Sequence, residues 1–284
     1  MSKVWFITGT STGFGRTLAE TLLAKGETVV LTARRPEAVA TLAEGYPQTA
    51  LALPLDVTKP DAVRAAVRAA EAHFGRIDVL VNNAGFGVIG AVEEVSDADA
   101  RRQFDTNFFG ALDVLRAVLP GMRQRGGGHI LNVSSIVGLA AFPGMGLYAA
   151  SKFALEGASE ALAAEIGPLG IHVTIVEPGA FRTEFSTAEK LGTHHAAAVG
   201  EHYRATAGGT IDWLTRTNGA QPGDPLKAAH AMIQVVESPD PPLRLLLGSD
   251  AWGMAQTKLK ALTENLNAYQ SVTTSTDYPT PQAA

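Results

Sequence analysis

Tyr148 and Lys152 stand four residues apart, and Ser135 lies thirteen residues before the tyrosine. On a helix, positions i and i+4 are neighbours on one face, so the Lys152 ammonium can sit beside the Tyr148 ring and favour its ionised form. A free tyrosine titrates near pH ~10 and needs such a cation to exchange protons at neutrality. The spacing alone is common among chance surface neighbours. It gains weight from a glycine cluster near the start of the chain, Gly9-Thr10-Ser11-Thr12-Gly13-Phe14-Gly15, set between an apolar run and a helix-like stretch from Arg16. Glycines at a strand-to-helix turn let backbone N–H groups approach a pyrophosphate, with the positive end of the helix behind them. Together these residues spell proton transfer at a substrate oxygen beside a bound dinucleotide.

The end of the second apolar run selects the dinucleotide. A ribose 2′-hydroxyl is usually held by an acid some twenty residues past the glycines, and a 2′-phosphate by arginine. Here the sequence reads Thr32-Ala33-Arg34-Arg35-Pro36, with no acid. The Arg34 guanidinium offers a planar fork of charged donors, which favours NADP over NAD. Arg35 reads equally well as a solvated surface charge.

The elements that must position these residues alternate in kind. Short β-branched runs occur at Val4–Ile7, Thr28–Thr32, Ala50–Leu55, Val79–Val81, His129–Val133, His172–Val176 and Leu243–Leu247. Continuous apolar runs, rather than in/out alternation, predict strands buried on both faces of a parallel sheet. Between them Val63, Val67, Ala70 and Phe74, and again Leu155, Ala158, Leu162 and Ile166, follow helical periodicity. The alternation predicts an α/β fold: a doubly wound parallel sheet of about seven strands with helices on both faces, in one domain over 1–284. One long helix is expected over Ala98–Met122, apolar on more than one side, so that it is covered by neighbouring helices or by another subunit. The stretch 183–225 breaks the rhythm and is expected to be a substrate-binding lid or insertion. The tail 269–284, rich in Ser, Thr, Pro and Gln, is expected to be loosely ordered.

Composition narrows the function classes. The 284 residues carry a net charge of −5 with 46% hydrophobic residues, which allows a sizeable core and argues against a nucleic-acid partner. There are no cysteines, so disulfides and thiolate nucleophiles are excluded. No metal is expected: His194 and His195 are adjacent in a polar stretch without a third ligand at suitable spacing. The apolar run at Val4–Ile7 is too short for a signal core or a membrane span, and the expectation is a cytoplasmic protein with no membrane partner.

Taken in order, the motifs resemble the short-chain dehydrogenase/reductase family in its shorter, single-domain branch. Thr8-Gly9, Gly13 and Gly15 resemble its cofactor turn, and Asp56-Val57 its adenine-contact position. Asn82-Asn83-Ala84-Gly85 resembles its strand-bracing and cofactor-contact motif, and Asn107 stands at the position of its catalytic asparagine. Ser135 matches its catalytic serine, Tyr148-Ala-Ala-Ser-Lys152 its Y-x-x-x-K, and the run from Pro178 and Gly179 through Phe181 to Thr183 its nicotinamide-holding motif. The overall texture is similar to the 17β-hydroxysteroid dehydrogenase-like group.

The resemblance implies a catalytic set of Asn107, Ser135, Tyr148 and Lys152. It also implies cofactor contacts from Gly9, Ser11, Thr12, Gly13, Phe14, Gly15, Arg34, Asp56, Val57, Asn83, Ala84, Gly85, Tyr148, Lys152, Pro178, Gly179, Phe181 and Thr183. Asn107 would position a water linking Lys152 to solvent. The implied reaction interconverts a secondary alcohol and a ketone with NADP(H), in a homodimer or homotetramer built on the long helix and the Tyr148 helix. Phe86, Leu139, Phe142, Met145, Leu147, Phe181 and Phe185 flank the motifs and predict an apolar pocket for a neutral substrate. Glu177 reads as structural. Two alternatives stay open: a non-catalytic dinucleotide sensor, and an epimerase or dehydratase using the same Tyr/Lys pair.

Overall fold

The computed structural model describes residues 2–186 and 199–278. Its sheet has seven parallel strands: β1 (Val4–Ile7), β2 (Thr28–Ala33), β3 (Ala50–Pro54), β4 (Val79–Asn82), β5 (Gly128–Val133), β6 (Ile171–Pro178) and β7 (Arg244–Leu247). They lie in the order β3-β2-β1-β4-β5-β6-β7. Ile7 pairs with Leu31 on one side and Val81 on the other, so β1 is where the winding reverses. In an open parallel sheet the crevice beyond the strand C-termini at that reversal is where ligands bind.

Alternate residues of each strand feed two cores. Trp5, Ile7, Leu31, Val79 and Leu131 pack beneath α1 (Gly13–Ala24) and a late helix, Pro225–Glu237. Phe6, Val30, Leu80 and Ile130 pack against α3 (Pro60–Phe74) and the helix Ala111–Arg125. Burying each such side chain stabilises the fold by about 1.5–3 kcal/mol. The two-sided burial is what the continuous apolar runs predicted. A short helix α2 (Glu37–Glu44) follows β2.

The single helix expected over Ala98–Met122 is three pieces: α4 (Asp97–Phe104), a π-helical turn Asp105–Gly110, and α5 (Ala111–Arg125). The wider turn coincides with close packing that periodicity does not register. A Cβ on Gly110 would lie 2.8 Å from Val57 Cγ2, and the Asn107 amide is drawn inward to the Phe86 backbone. π-turns concentrate at functional sites. Val114, Val118 and Met122 face this domain's own core, while Phe109 remains half exposed.

The remaining helices are α6 (Gly146–Ile166), α7 (Gly209–Arg216), α8 (Pro225–Glu237), α9 (Ser249–Ala268) and α10 (Gln270–Thr274). Within 183–225 the described residues form short turns and α7, tied back by Thr210 Oγ1 donating to Pro143 O at 2.7 Å and Gly200 N to Glu94 Oε1 at 2.8 Å. His194 and His195 lie outside the described residues. So do 279–284 of the tail, whose preceding part carries the exposed α10. Among the described residues no helix is long and apolar enough to cross a membrane.

Candidate active site

The glycine turn leaves β1 at Thr8 and is braced from β4. Thr8 Oγ1 accepts from the backbone N–H groups of Asn83 and Ala84, both at 2.9 Å. Asn83 Nδ2 donates back to Thr8 O at 2.8 Å and Gly9 O at 2.9 Å. Gly9 has φ +71°, and a Cβ there would stand 3.1 Å from Ala84 Cα, so only glycine suits both the conformation and the approach. Gly13, φ +61°, opens α1, with the side chains of Glu184 and Thr183 across from it. The Phe14 ring meets Phe181 edge-on at 5.1 Å, joining the first turn to the last motif.

A cleft of about 1250 Å³ runs over the strand C-termini. Gly9, Ser11, Thr12, Gly13, Phe14, Arg34, Asp56, Val57, Asn83, Ala84 and Gly85 line it, together with Ser135, Tyr148, Lys152, Pro178, Gly179, Phe181 and Thr183. Arg35 lines it too. Two predicted residues stand behind its wall. A Cβ on Gly15 would overlap Gly9 O and lie 2.5 Å from Asn83 Nδ2, so Gly15 lets helix and turn pack closely rather than facing a ligand. Asn107 sits beneath Gly85, with Oδ1 accepting from Phe86 N at 3.0 Å and Nδ2 donating to Phe86 O at 2.8 Å and Ser151 Oγ at 3.0 Å.

The proton-handling side chains meet where β5 ends against the first turns of α6. Ser135 continues the strand in extended conformation and hydrogen-bonds the Tyr148 hydroxyl. Tyr148 belongs to a small apolar cluster with Ile136, Met145 and Leu214, and its ring lies 5.5 Å from Phe185. Burial pushes the phenol up to about 12, with the Ser135 bond opposing. Lys152 Nζ donates to Val133 O at 2.7 Å and stands 5.9 Å from the Tyr148 ring centre. Burial pulls the ammonium down to about 8, against the pull of Glu156. The sequence reading expected Lys152 to favour the phenolate; in the structure burial is the largest influence on Tyr148. At neutrality Tyr148 holds its proton.

The far end of the cleft is apolar. Phe86, Phe142, Met145, Phe181 and Phe185 line it as expected, whereas Leu139 and Leu147 do not. Trp213 and Leu214 join them from the 183–225 stretch, and Met254, which was not anticipated, from α9. Asp250 was also missed. Its Oδ2 accepts from Ala180 N at 2.7 Å, fixing the turn after Pro178 from seventy residues further on. A lone aspartate at the start of a helix gives no sequence signal of that reach.

The comparisons with known proteins agree with this geometry. The family model for short chain dehydrogenase matches residues 3–193. The chain is similar to the crystal structure of a short-chain dehydrogenase from Streptomyces avermitilis, with 41% identity, a TM-score of 0.88, and 98% of this chain and 100% of that one covered. It is 37% identical to a 3-ketodihydrosphingosine reductase of Bacteroides thetaiotaomicron, over 87% of this chain and 88% of the relative. A Burkholderia cenocepacia short chain dehydrogenase solved in complex with NADP is 27% identical with a TM-score of 0.72, over 94% of this chain and 96% of that one.

Proposed function

The chain belongs to the short-chain dehydrogenase/reductase family of oxidoreductases, and from that premise we propose that it reduces a neutral, hydrophobic ketone, or oxidises the corresponding secondary alcohol, with NADP(H). The observation that carries this reading is a single cleft in which the Tyr148 hydroxyl, bonded to Ser135, faces a positive-φ glycine turn. That turn fits a dinucleotide: Gly9 and Gly13 both take positive φ and leave the backbone bare at the N-terminus of a helix. When bound, the nicotinamide supplies or accepts the hydride. Arg34 at the end of β2, with no acid beside it, supports NADP over NAD.

Tyr148 gives its proton to the substrate oxygen during reduction and takes one back in oxidation. A phenol kept protonated by burial is ready for the first task. Ser135 Oγ holds the same oxygen where negative charge develops. Lys152, beside the ring, supplies positive charge that eases loss of the phenolic proton. The Asn107 amide is bonded at both ends, so it braces the 85–86 turn beneath Gly85. Thr183 and Phe181, opposite the glycine turn, hold the nicotinamide end. The aromatic walls from Phe142, Phe185 and Trp213 suit an uncharged apolar substrate, in keeping with the ketone reductase among the relatives.

A panel of aromatic, steroid-like and long-chain ketones, followed at the nicotinamide absorbance band with NADPH and NADH, tests this. Tyr148→Phe is expected to lower kcat by about 10²–10⁴-fold while NADPH still binds. Undiminished turnover in that variant would revive a sensor role for the cleft. A strong preference for carboxylate-bearing substrates would overturn the substrate class.

A further inference from the structure

Along α6 the polar side chains Tyr148, Lys152, Glu156 and Glu160 recur every four residues, leading from the cleft to the surface. The end of β5 answers the first three in turn. Ser135 bonds Tyr148, Val133 O accepts from Lys152, and Ser134 Oγ donates to Glu156 Oε1 at 2.6 Å. Glu156 is only 3% exposed. A buried carboxylate costs several kcal/mol unless it is paired and hydrogen-bonded. Its second oxygen takes Arg244 Nη1 at 2.8 Å, from the first residue of β7. The same guanidinium reaches Glu177 on β6 and Glu160 on α6. The space is tailored: a Cβ on Gly138 would overlap the Glu156 carboxylate.

We propose that Glu156 is a positioning residue for this centre, a buried carboxylate held by Ser134 and Arg244 that keeps the Lys152 side chain charged and so sets the pH range over which the Tyr148 proton can move. The proposal rests on the reading of Tyr148 and Lys152 as the proton-handling pair. The charged groups around Glu156 are Lys152 and Glu160 on its own helix, Glu177 from β6 and Arg244 from β7. Ser134 and the turn Ile136–Gly138 bring no charge, and Asp105 on the π-helical turn against α6 is exposed. One guanidinium thus serves three carboxylates. Burial first, then Glu156, pushes Glu177 up to about 7 against the pull of Arg244. The Glu156 carboxylate opposes the burial that draws Lys152 down.

The test reads Lys152 directly, by NMR of protein carrying isotope-labelled lysine, with its resonance assigned by its loss in Lys152→Ala. Glu156→Gln keeps the acceptor for Ser134 and removes the charge. Its Lys152 midpoint is expected to fall by about one pH unit or more, while Glu165→Gln, exposed on the same helix, leaves it in place. The alkaline limb of ketone reduction moves to lower pH by the same amount. An unmoved Lys152 midpoint in folded Glu156→Gln overturns the assignment and leaves Glu156 a structural residue. If that variant does not fold, Arg244→Gln takes its place: without the guanidinium the two buried carboxylates share a proton, and Lys152 again falls. An unmoved midpoint there overturns the proposal equally. Because this readout needs no turnover, a failed ketone panel and a wrong role for Glu156 give different results.

Discussion

A phenol closed off from water and bonded to a serine is an acid waiting for an acceptor, and burial keeps Tyr148 in that state against the pull of Ser135. Its ring is packed by Phe185, Ile136 and Met145, and its one cationic neighbour is tethered to Val133. Arg34 also lines the cleft, and the role proposed for it is recognition rather than proton transfer. Replacing Arg34 with alanine should raise KM for NADPH roughly 10–100-fold, the value of a hydrogen bond to a charged group, and leave KM for NADH nearly unchanged. Steady-state kinetics with both coenzymes decides this, and an equal rise for the two would remove Arg34 from phosphate recognition. Individual side chains were the most legible part of the site in the sequence, because Tyr148 with Lys152 and the glycines with Thr8 act over one helical turn or one loop. Glu156, Arg244 and Asp250 were not legible. Their partners lie 88 and 70 residues away, and only the fold brings them together.

Elements place those side chains, and they do so through close backbone approaches. α1 can start against the turn after β1 only because Gly15 has no side chain. Gly15→Ala must push apart the Gly9 carbonyl and the Asn83 amide. It is expected to destabilise the protein by about 1–3 kcal/mol, as overpacking does, and to weaken NADPH binding. Thermal melting with and without NADPH measures both, and a variant that melts and binds like the parent would show that the turn has room to spare. Apolar runs revealed the strands, and β1, β2, β4, β5 and β6, buried along nearly their whole length, needed no partner to be recognised. The π-helical turn at Asp105–Gly110 stayed hidden because it arises where Gly110 meets Val57, a contact between distant segments. α9 escaped for another reason: Trp252, Leu259, Leu262 and Leu266 are exposed on it, so its pattern does not mark a core-facing stripe.

For the molecule as a whole, two buried groups pull stability in opposite directions across the acidic range. His129 is held down to about 4, by burial first and then by His172 and Lys3, so the unfolded chain takes up its proton sooner and stability is lost as pH falls from 6.5 toward 4. Glu177, raised to about 7, does the reverse: its contribution is present below 4.5 and is lost as pH rises toward 7. For His129 this is on the order of 3 kcal/mol at full extent, and the opposed contribution of Glu177 makes the summed profile shallower. Relative to the parent, His129→Asn should melt progressively lower as pH rises from 4.5 to 7, and Glu177→Gln progressively lower as it drops from 6.5 to 4. Calorimetric melts across that range would show it, and parallel curves for all three proteins would contradict both assignments. Asp250 carries a different consequence. The walls of the cleft are drawn from Gly9 through Met254, and the hinge after Pro178 is latched by a carboxylate that a ribosome delivers near the end of its work on this stretch. During synthesis the glycine turn therefore emerges early, facing an open side, and the cleft is complete only once α9 has docked.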